Sequence, residues 1–220
     1  MSPYALIFDV DGTLAETEEL HRAAFSAVFE REALDWHWDV PLYRQLLKIT
    51  GGKERLRHFC ALSQIEIDDI TIARLHAAKN SHYAALMRSG CCPLRPGVEN
   101  LIRRARAAGK RLAICTTTSR ANVDVLLETS LGSDAAGWFG VIVAGDEVKA
   151  KKPAPDAYLK ALELLDLPAA RCLAFEDSGN GLKAALAAGI RTIVTPGLYT
   201  AGENFGGAAQ VLVNLQGFAL

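Results

Sequence analysis

Residues 4–13 read Tyr-Ala-Leu-Ile-Phe-Asp-Val-Asp-Gly-Thr. The apolar run Tyr4–Phe8 breaks off into two aspartates, Asp9 and Asp11, and a glycine. A short apolar run bounded by turn residues reads as a buried strand. Similar runs follow at Lys110–Cys115, Arg171–Phe175 and Ile190–Thr195, and Trp138–Ala144 is also rich in strand-forming residues. Helical patterns lie between them at Ala121–Leu131, Pro155–Leu165 and Gly181–Ala188, and another runs from Val98 to a stop at Gly109. Strands alternating with helices imply right-handed crossovers and a mostly parallel sheet.

The stretch from Glu16 to about Gly90 interrupts this alternation. It contains no convincing strand. Leu20, Ala23, Ala24, Ala27 and Val28 fall on one face of a helix over Glu16–Glu32. Tyr43–Leu47, Glu54–Ser63 and Asp68–Arg88 also read as helices, and Ser89–Gly97 reads as a hinge or linker. The expected fold is therefore α/β: a doubly wound parallel-sheet core formed by residues 1–15 and 93–220, with a helical domain at 16–92. The Gly-rich tail 202–220, with its short apolar run Val211–Leu215, receives no assignment.

Composition removes several classes of function. The 220 residues carry 24 Lys+Arg against 25 Asp+Glu, a net charge of −1, which offers no footprint for nucleic acid. Apolar runs are too short to span a bilayer, and no signal peptide is expected. Five cysteines, with no metal-type spacing, suggest free thiols in a cytoplasmic or similarly reducing compartment. The working expectation is a monomer.

Parallel sheets bind ligands at the carboxyl ends of their strands. Those ends carry Asp9-Val-Asp-Gly-Thr13, Thr116-Thr-Thr-Ser119 and Glu176-Asp-Ser-Gly-Asn-Gly181, and Lys149-Ala-Lys-Lys-Pro-Ala-Pro155 precedes a helix. Asp9, Asp11, Glu176 and Asp177 would repel one another unless a cation sits among them, and oxygen ligands suit Mg2+. A hydroxyl and a lysine complete a cradle for an anion. An aspartate nucleophile, a hard cation and a positive clamp suit phosphoryl transfer through an aspartyl-phosphate.

Asp9-Val-Asp-Gly-Thr13, Thr116, Lys152-Pro-Ala-Pro-Asp156 and Glu176-Asp177 resemble the four motifs of the haloacid dehalogenase-like phosphohydrolases, in the family's order and spacing. The helical insert resembles that family's type-1 cap. Glu16-Thr-Glu-Glu-Leu-His21 and Thr50-Gly-Gly-Lys-Glu-Arg55 resemble the CbbY-type sugar phosphatases, relatives of β-phosphoglucomutase. The resemblance implies Asp9 as nucleophile and Asp11 as general acid/base. It implies Mg2+ held by Asp9, the Asp11 carbonyl and Asp177, with Glu176 in direct contact or one step removed. Thr116 and Lys152 would clamp the phosphoryl group, with Lys149 or Lys151 as alternatives to Lys152. Backbone amides near Asp11 and Thr117 would add to that clamp. As a helix N-cap, Thr118 or Ser119 fits better than Thr116.

The resemblance further implies substrate contacts from Glu16, His21, Lys53, Arg55, Thr117, Thr118 and Arg120, and a small sugar-phosphate substrate. Xylulose 1,5-bisphosphate leads, with Lys53 and Arg120 as candidate donors to a second phosphate. Trp36 and Trp38 read as core of the cap, without chemistry. Two other functions remain open. A sugar phosphomutase would share every core motif. A phospho-accepting signalling module would combine similar residue types, although the Asp9–Thr13 motif and the helical insert argue against it.

Overall fold

A computed structural model of the chain describes residues 3–90 and 92–220. The chain divides into two compact units, Met1–Glu16 with Cys92–Leu220, and Thr17–Cys91.

In the first unit, six parallel strands lie in the order β3-β2-β1-β4-β5-β6. They are β1 (Ala5–Phe8), β2 (Arg111–Cys115), β3 (Val141–Val143), β4 (Cys172–Glu176), β5 (Arg191–Val194) and β6 (Gln210–Val211). The intervening helices are numbered after the four of the insert: α5 (Val98–Ala107), α6 (Arg120–Leu131), α7 (Asp156–Leu165) and α8 (Gly179–Ala187). Successive side chains of a strand point to opposite faces. One face presents Ala5, Ile7, Ala113, Cys115 and Ala174 to Tyr158, Ala161, Ala184 and Ala185 of α7 and α8. On the other face Phe8 stacks on Phe175 at 4.8 Å, and Phe218 of the tail packs edge-on against Phe175. Small residues on the first face let α7 and α8 approach closely, which brings the residues before α7 over the strand ends.

The expected strand at Trp138–Ala144 shortens to three residues, because Ala135–Trp138 forms a 3-10 turn. Trp138 instead takes the guanidinium of Arg106 over its ring at 4.0 Å. The unassigned tail has a defined role. Gln210 and Val211 extend the sheet beside Ile193 and Val194. The Leu215 amide then donates to the Pro96 carbonyl, and Arg104 donates to the Phe218 carbonyl.

The 89–97 stretch, of which Cys91 lies outside the described residues, is more than a tether. Leu94 bridges to Ala15, and the Arg95 amide donates to the Leu14 carbonyl. The Arg95 side chain is 9% exposed, and its guanidinium is ion-paired with Glu16 at 3.2 Å. It also donates to the carbonyls of Gly12, Thr195 and Pro196. One side chain thus ties the loop after β1 to the loop after β5.

The second unit holds α1 (Glu18–Arg31), α2 (Val40–Leu46), α3 (Gly52–Leu62) and α4 (Asp69–Arg88). Asp39 and Asp68 start α2 and α4 by accepting the amides of Leu42 and Thr71, satisfying donors that a helix start leaves orphaned. Phe25, Phe29, Trp36, Trp38, Tyr43 and Phe59 form one aromatic cluster. The buried stripe of α1 is His21, Ala24, Phe25, Val28 and Phe29. It is rotated from the expected stripe, leaving Leu20, Ala23 and Ala27 half-buried. Large aromatic rings bury more area than alanines, so they set the helix's rotation.

Gly97 tests the role of the tail. Its φ is +88°, and a Cβ there would lie 2.1 Å from the carbonyl carbon of Leu215. Gly109 also has positive φ (+66°), but its Cβ would meet nothing within 4 Å. We expect Gly109→Ala to cost about 1 kcal/mol and Gly97→Ala about 3 kcal/mol, the added cost being displacement of the tail. Urea unfolding of both variants measures the difference.

Candidate active site

The sheet register builds the site. Phe8 pairs with Phe175, and the Asp9 amide donates to the Phe175 carbonyl at 3.0 Å. Asp9 and Glu176 therefore end adjacent strands side by side. The period of two puts both on the face of Ile7 and Ala174, under α7. Two neighbouring buried carboxylates repel, and the structure compensates them with Lys152. Its ammonium lies 2.7 Å from Asp9 Oδ1, 2.6 Å from Glu176 Oε1 and 2.8 Å from the Cys115 carbonyl. Lys152 is 4% exposed, while Lys149 is exposed and Lys151 half-buried, so Lys152 alone of the three enters the site.

Burial pushes the Asp9 carboxyl above its usual range against the pull of Lys152. Burial likewise pushes Glu176 up to about 7, with Lys152 opposing and Asp9 reinforcing. Burial disfavours the Lys152 ammonium, but Asp9 and Glu176 outweigh it and hold its pKa above the ordinary value. Burial raises the Cys115 thiol, leaving that cysteine an inert hydrophobe beside the site.

Asp177 completes an acidic triad. Ligand-competent atoms of Asp9, Glu176 and Asp177 lie within 4.8 Å of one another, all on buried residues. Glu176 Oε2 is buried without a hydrogen bond among the described residues. Three carboxylates against one ammonium leave two negative charges uncompensated, which one divalent cation would balance. All-oxygen donors with room for water suit Mg2+. The residues present therefore fit the ion the sequence suggests. Asp177 is steadied by the Thr200 hydroxyl, which donates to Oδ2 at 3.1 Å. Gly12 lies beneath it with φ +81°, where a Cβ would come 2.3 Å from Asp177 Oδ2. The Asp9–Thr13 loop needs glycine at this point for both its turn and its approach to Asp177.

The other candidates fall into distinct settings. Asp11 is half-buried on the loop after β1, in a bridge with Ala15. Thr116 is 1% exposed, and its hydroxyl accepts the Thr118 amide at 3.2 Å. Ser119 takes the N-cap position of α6 without a side-chain cap bond, whereas Thr118 Oγ1 accepts from Asn122 within the first turn. Thr117 is half-buried, with its carbonyl against Gly145. Arg120 is exposed and pairs with Asp124 one turn along α6. Glu16 joins Arg95 and accepts the Leu198 amide.

Three candidates lie in the helical unit. Lys53 is exposed in the first turn of α3, after Gly51 with φ +93°. Arg55 is turned inward: it donates to the Leu46 carbonyl and to the Tyr43 hydroxyl, which donates to Glu18. His21 is buried, stacked on Tyr83 at 4.1 Å, with Nδ1 2.6 Å from Lys79 Nζ.

Sequence reading missed Tyr158, Thr200, Arg95 and Lys79. Lys79 carried a signal, since it occupies the apolar stripe Ile72, Leu75, Tyr83 of α4, and a lysine there must find a partner. Tyr158 lies on the core face of α7, where its polar tip could have been read the same way. Thr200 and Arg95 lie in loops without periodicity and left none.

Residues 4–189 match the family model of haloacid dehalogenase-like hydrolases. The chain is 54% identical over 204 residues to protein CbbY of Rhodobacter capsulatus, covering 93% of this chain and 90% of that protein. CbbY of Cupriavidus necator is 52% identical over 217 residues, covering 96% and 85%. The crystal structure of CbbY from Rhodobacter sphaeroides in complex with phosphate superposes with a TM-score of 0.94 at 50% identity, covering 97% of this chain and 95% of that one. A β-phosphoglucomutase from Clostridium difficile, at 19% identity and a TM-score of 0.81, shares the fold. With a parallel sheet that ends in Asp9, Lys152 and the Glu176–Asp177 pair, and with relatives alike over nearly their whole length, this chain belongs to the haloacid dehalogenase-like hydrolases and is a phosphatase of the CbbY group.

Proposed function

We propose that the chain hydrolyses a small sugar phosphate with Mg2+, through an aspartyl-phosphate on Asp9. The observation that carries this reading is the buried Lys152 ammonium between Asp9 and Glu176, beside Asp177. Asp9 Oδ1 is held by Lys152, so the carboxylate is oriented before substrate arrives. Asp9, the Asp11 carbonyl, Glu176 and Asp177 would hold the cation, which supplies positive charge to the transferring phosphoryl oxygens. Lys152 and the Thr116 hydroxyl would donate to the same oxygens, with the amide of Thr117 beside them. Asp11 gives a proton to the leaving sugar oxygen, then takes one from the water that cleaves the acyl-phosphate.

For the substrate we propose a sugar bisphosphate. A variant of CbbY from Rhodobacter sphaeroides, 49% identical to this chain with a TM-score of 0.94, was solved in complex with xylulose 1,5-bisphosphate. That compound is the leading substrate here. Glu16, His21, Lys53, Arg55, Thr117, Thr118 and Arg120 are the proposed contacts. Arg55 would have to give up Tyr43 or Leu46 to reach a ligand, so the second phosphate is assigned to Lys53 and Arg120. Lys53 pairs with no carboxylate among the described residues, and an exposed pair such as Arg120–Asp124 costs little to exchange. Buried free thiols at Cys60, Cys115 and Cys172 fit a reducing, cytoplasmic-type compartment. No helix among the described residues is long and apolar enough to cross a membrane.

Asp9→Asn should abolish phosphate release from xylulose 1,5-bisphosphate, since a neutral amide cannot form the acyl-phosphate. EDTA should stop the wild-type enzyme and Mg2+ restore it. Turnover of Asp9→Asn above one hundredth of wild type, or turnover in EDTA, would overturn the mechanism. Assaying the same reaction for sugar phosphate interconversion separates a phosphatase from a mutase.

Lys53→Ala and Arg120→Ala should each lose about 1.5–3 kcal/mol of transition-state binding on the bisphosphate, as for a charge-assisted hydrogen bond. The comparison is kcat/KM on p-nitrophenyl phosphate, which has no second phosphate. Equal losses on both substrates would remove the two cations from substrate recognition.

A further inference from the structure

Tyr158 belongs to none of the motifs that build the site. It lies in the first turn of α7, six residues after Lys152, and is fully buried. Its hydroxyl donates to Glu176 Oε1, the same oxygen that accepts from Lys152 at 2.6 Å. Its ring lies under the Lys152 ammonium, 5.2 Å from nitrogen to ring centre. The other Glu176 oxygen, Oε2, makes no hydrogen bond among the described residues. It abuts Gly181, where a Cβ would come within 1.8 Å. Glu176 is thus anchored through one oxygen by two donors, with its second oxygen buried and unsatisfied.

We infer that Tyr158 is a positioning residue for the divalent cation: by sharing Glu176 Oε1 with Lys152, it fixes the plane of the Glu176 carboxylate at the metal site. The inference rests on the reading that Asp9, Glu176 and Asp177 hold that cation. Lys152 alone cannot do this work. An ammonium on a flexible stem is a point charge with rotatable donors, so it sets a carboxylate's plane less firmly than a fixed donor does. Lys152 must also serve Asp9 and the Cys115 carbonyl. A phenol on a buried ring has no such freedom, and it approaches from a helix packed against the sheet. Partners of metal-binding carboxylates orient the ligand, and their loss typically weakens the metal 10- to 100-fold.

The test uses Mn2+ as probe on the full chain without substrate, by calorimetry and by electron paramagnetic resonance of the free ion. Wild type is compared with Tyr158→Phe, which removes only the hydroxyl, and with Glu176→Gln. Tyr158→Phe should bind Mn2+ about tenfold more weakly. The Mg2+ concentration for half-maximal phosphatase activity should rise by the same factor, and kcat at saturating Mg2+ should fall far less. Glu176→Gln should weaken Mn2+ at least as much. If Glu176→Gln weakens Mn2+ while Tyr158→Phe stays within twofold of wild type, the inference is overturned and the metal reading stands. If Glu176→Gln also binds Mn2+ like wild type, Glu176 leaves the metal site and the inference falls with it. A Tyr158→Phe protein that loses thermal stability but keeps its Mn2+ affinity assigns the hydroxyl to packing alone, which also overturns it.

Discussion

A single ammonium holds the ends of three strands together. Asp9 ends β1, Glu176 ends β4, and the Cys115 carbonyl ends β2, all within hydrogen-bonding distance of Lys152 Nζ. In-register parallel pairing makes the problem that Lys152 solves. It sets two carboxylates side by side at a buried edge, where water cannot solvate them. Lysine suits the task better than arginine. Its compact head can take three acceptors arranged around a point, while a guanidinium would need them in one plane. The remaining charge deficit, three carboxylates against one ammonium, makes the site electrostatically incomplete as a piece of protein. That incompleteness is what suits it to a cation.

A site in which like charges meet stays in place only if its surroundings cannot relax. Here the constraint is steric as well as electrostatic. Gly12 and Gly197 let backbone pass so close to Asp177 that a Cβ would come 2.3 Å and 3.2 Å from Oδ2. Gly181 does the same for Glu176. Arg95 clamps the carbonyls of Gly12, Thr195 and Pro196 from behind, so the loop carrying Asp11 and the loop facing Asp177 share one anchor. The tail, packed on Gly97 and bonded to Pro96, holds the segment bearing Arg95. Preorganised charge needs no rearrangement when a transition state forms, and these contacts, some far from the carboxylates, are what prevent rearrangement.

Part of the candidate site was legible because it lies where apolar runs end. Asp9, Thr116 and Glu176 stand at strand ends, and strand ends are where a parallel sheet binds ligands. Even the shared face of Asp9 and Glu176 was implicit, since Ile7 and Ala174 precede them by two. What could not be read was pairing across the chain. Lys152, Lys149 and Lys151 look alike in sequence, and only the seating of α7 buries the first. The rotation of α1 was misread for a related reason. Counting apolar positions weights Ala23 and Ala27 like Phe25 and Phe29, whereas buried area does not. Arg95 and Thr200 act from irregular segments, where side-chain direction follows from the fold rather than from any period.

The helical unit shows the same limit with a different consequence. Its buried cations are engaged: Arg55 by Tyr43 and the Leu46 carbonyl, Lys79 by His21 with the rings of Phe25 and Tyr83 beneath it. A buried charge stripped of its partner costs several kcal/mol on the order seen for broken internal ion pairs. Such residues hold the unit's shape. An exposed lysine such as Lys53 carries no such debt, because water already solvates it. An exposed cation can thus exchange water for an anion at little cost, while buried ones keep the shape. The division follows from desolvation alone. Two basic residues two positions apart in one helix turn, Lys53 and Arg55, accordingly take opposite settings: Arg55 is bound into the fold and Lys53 is left to solvent.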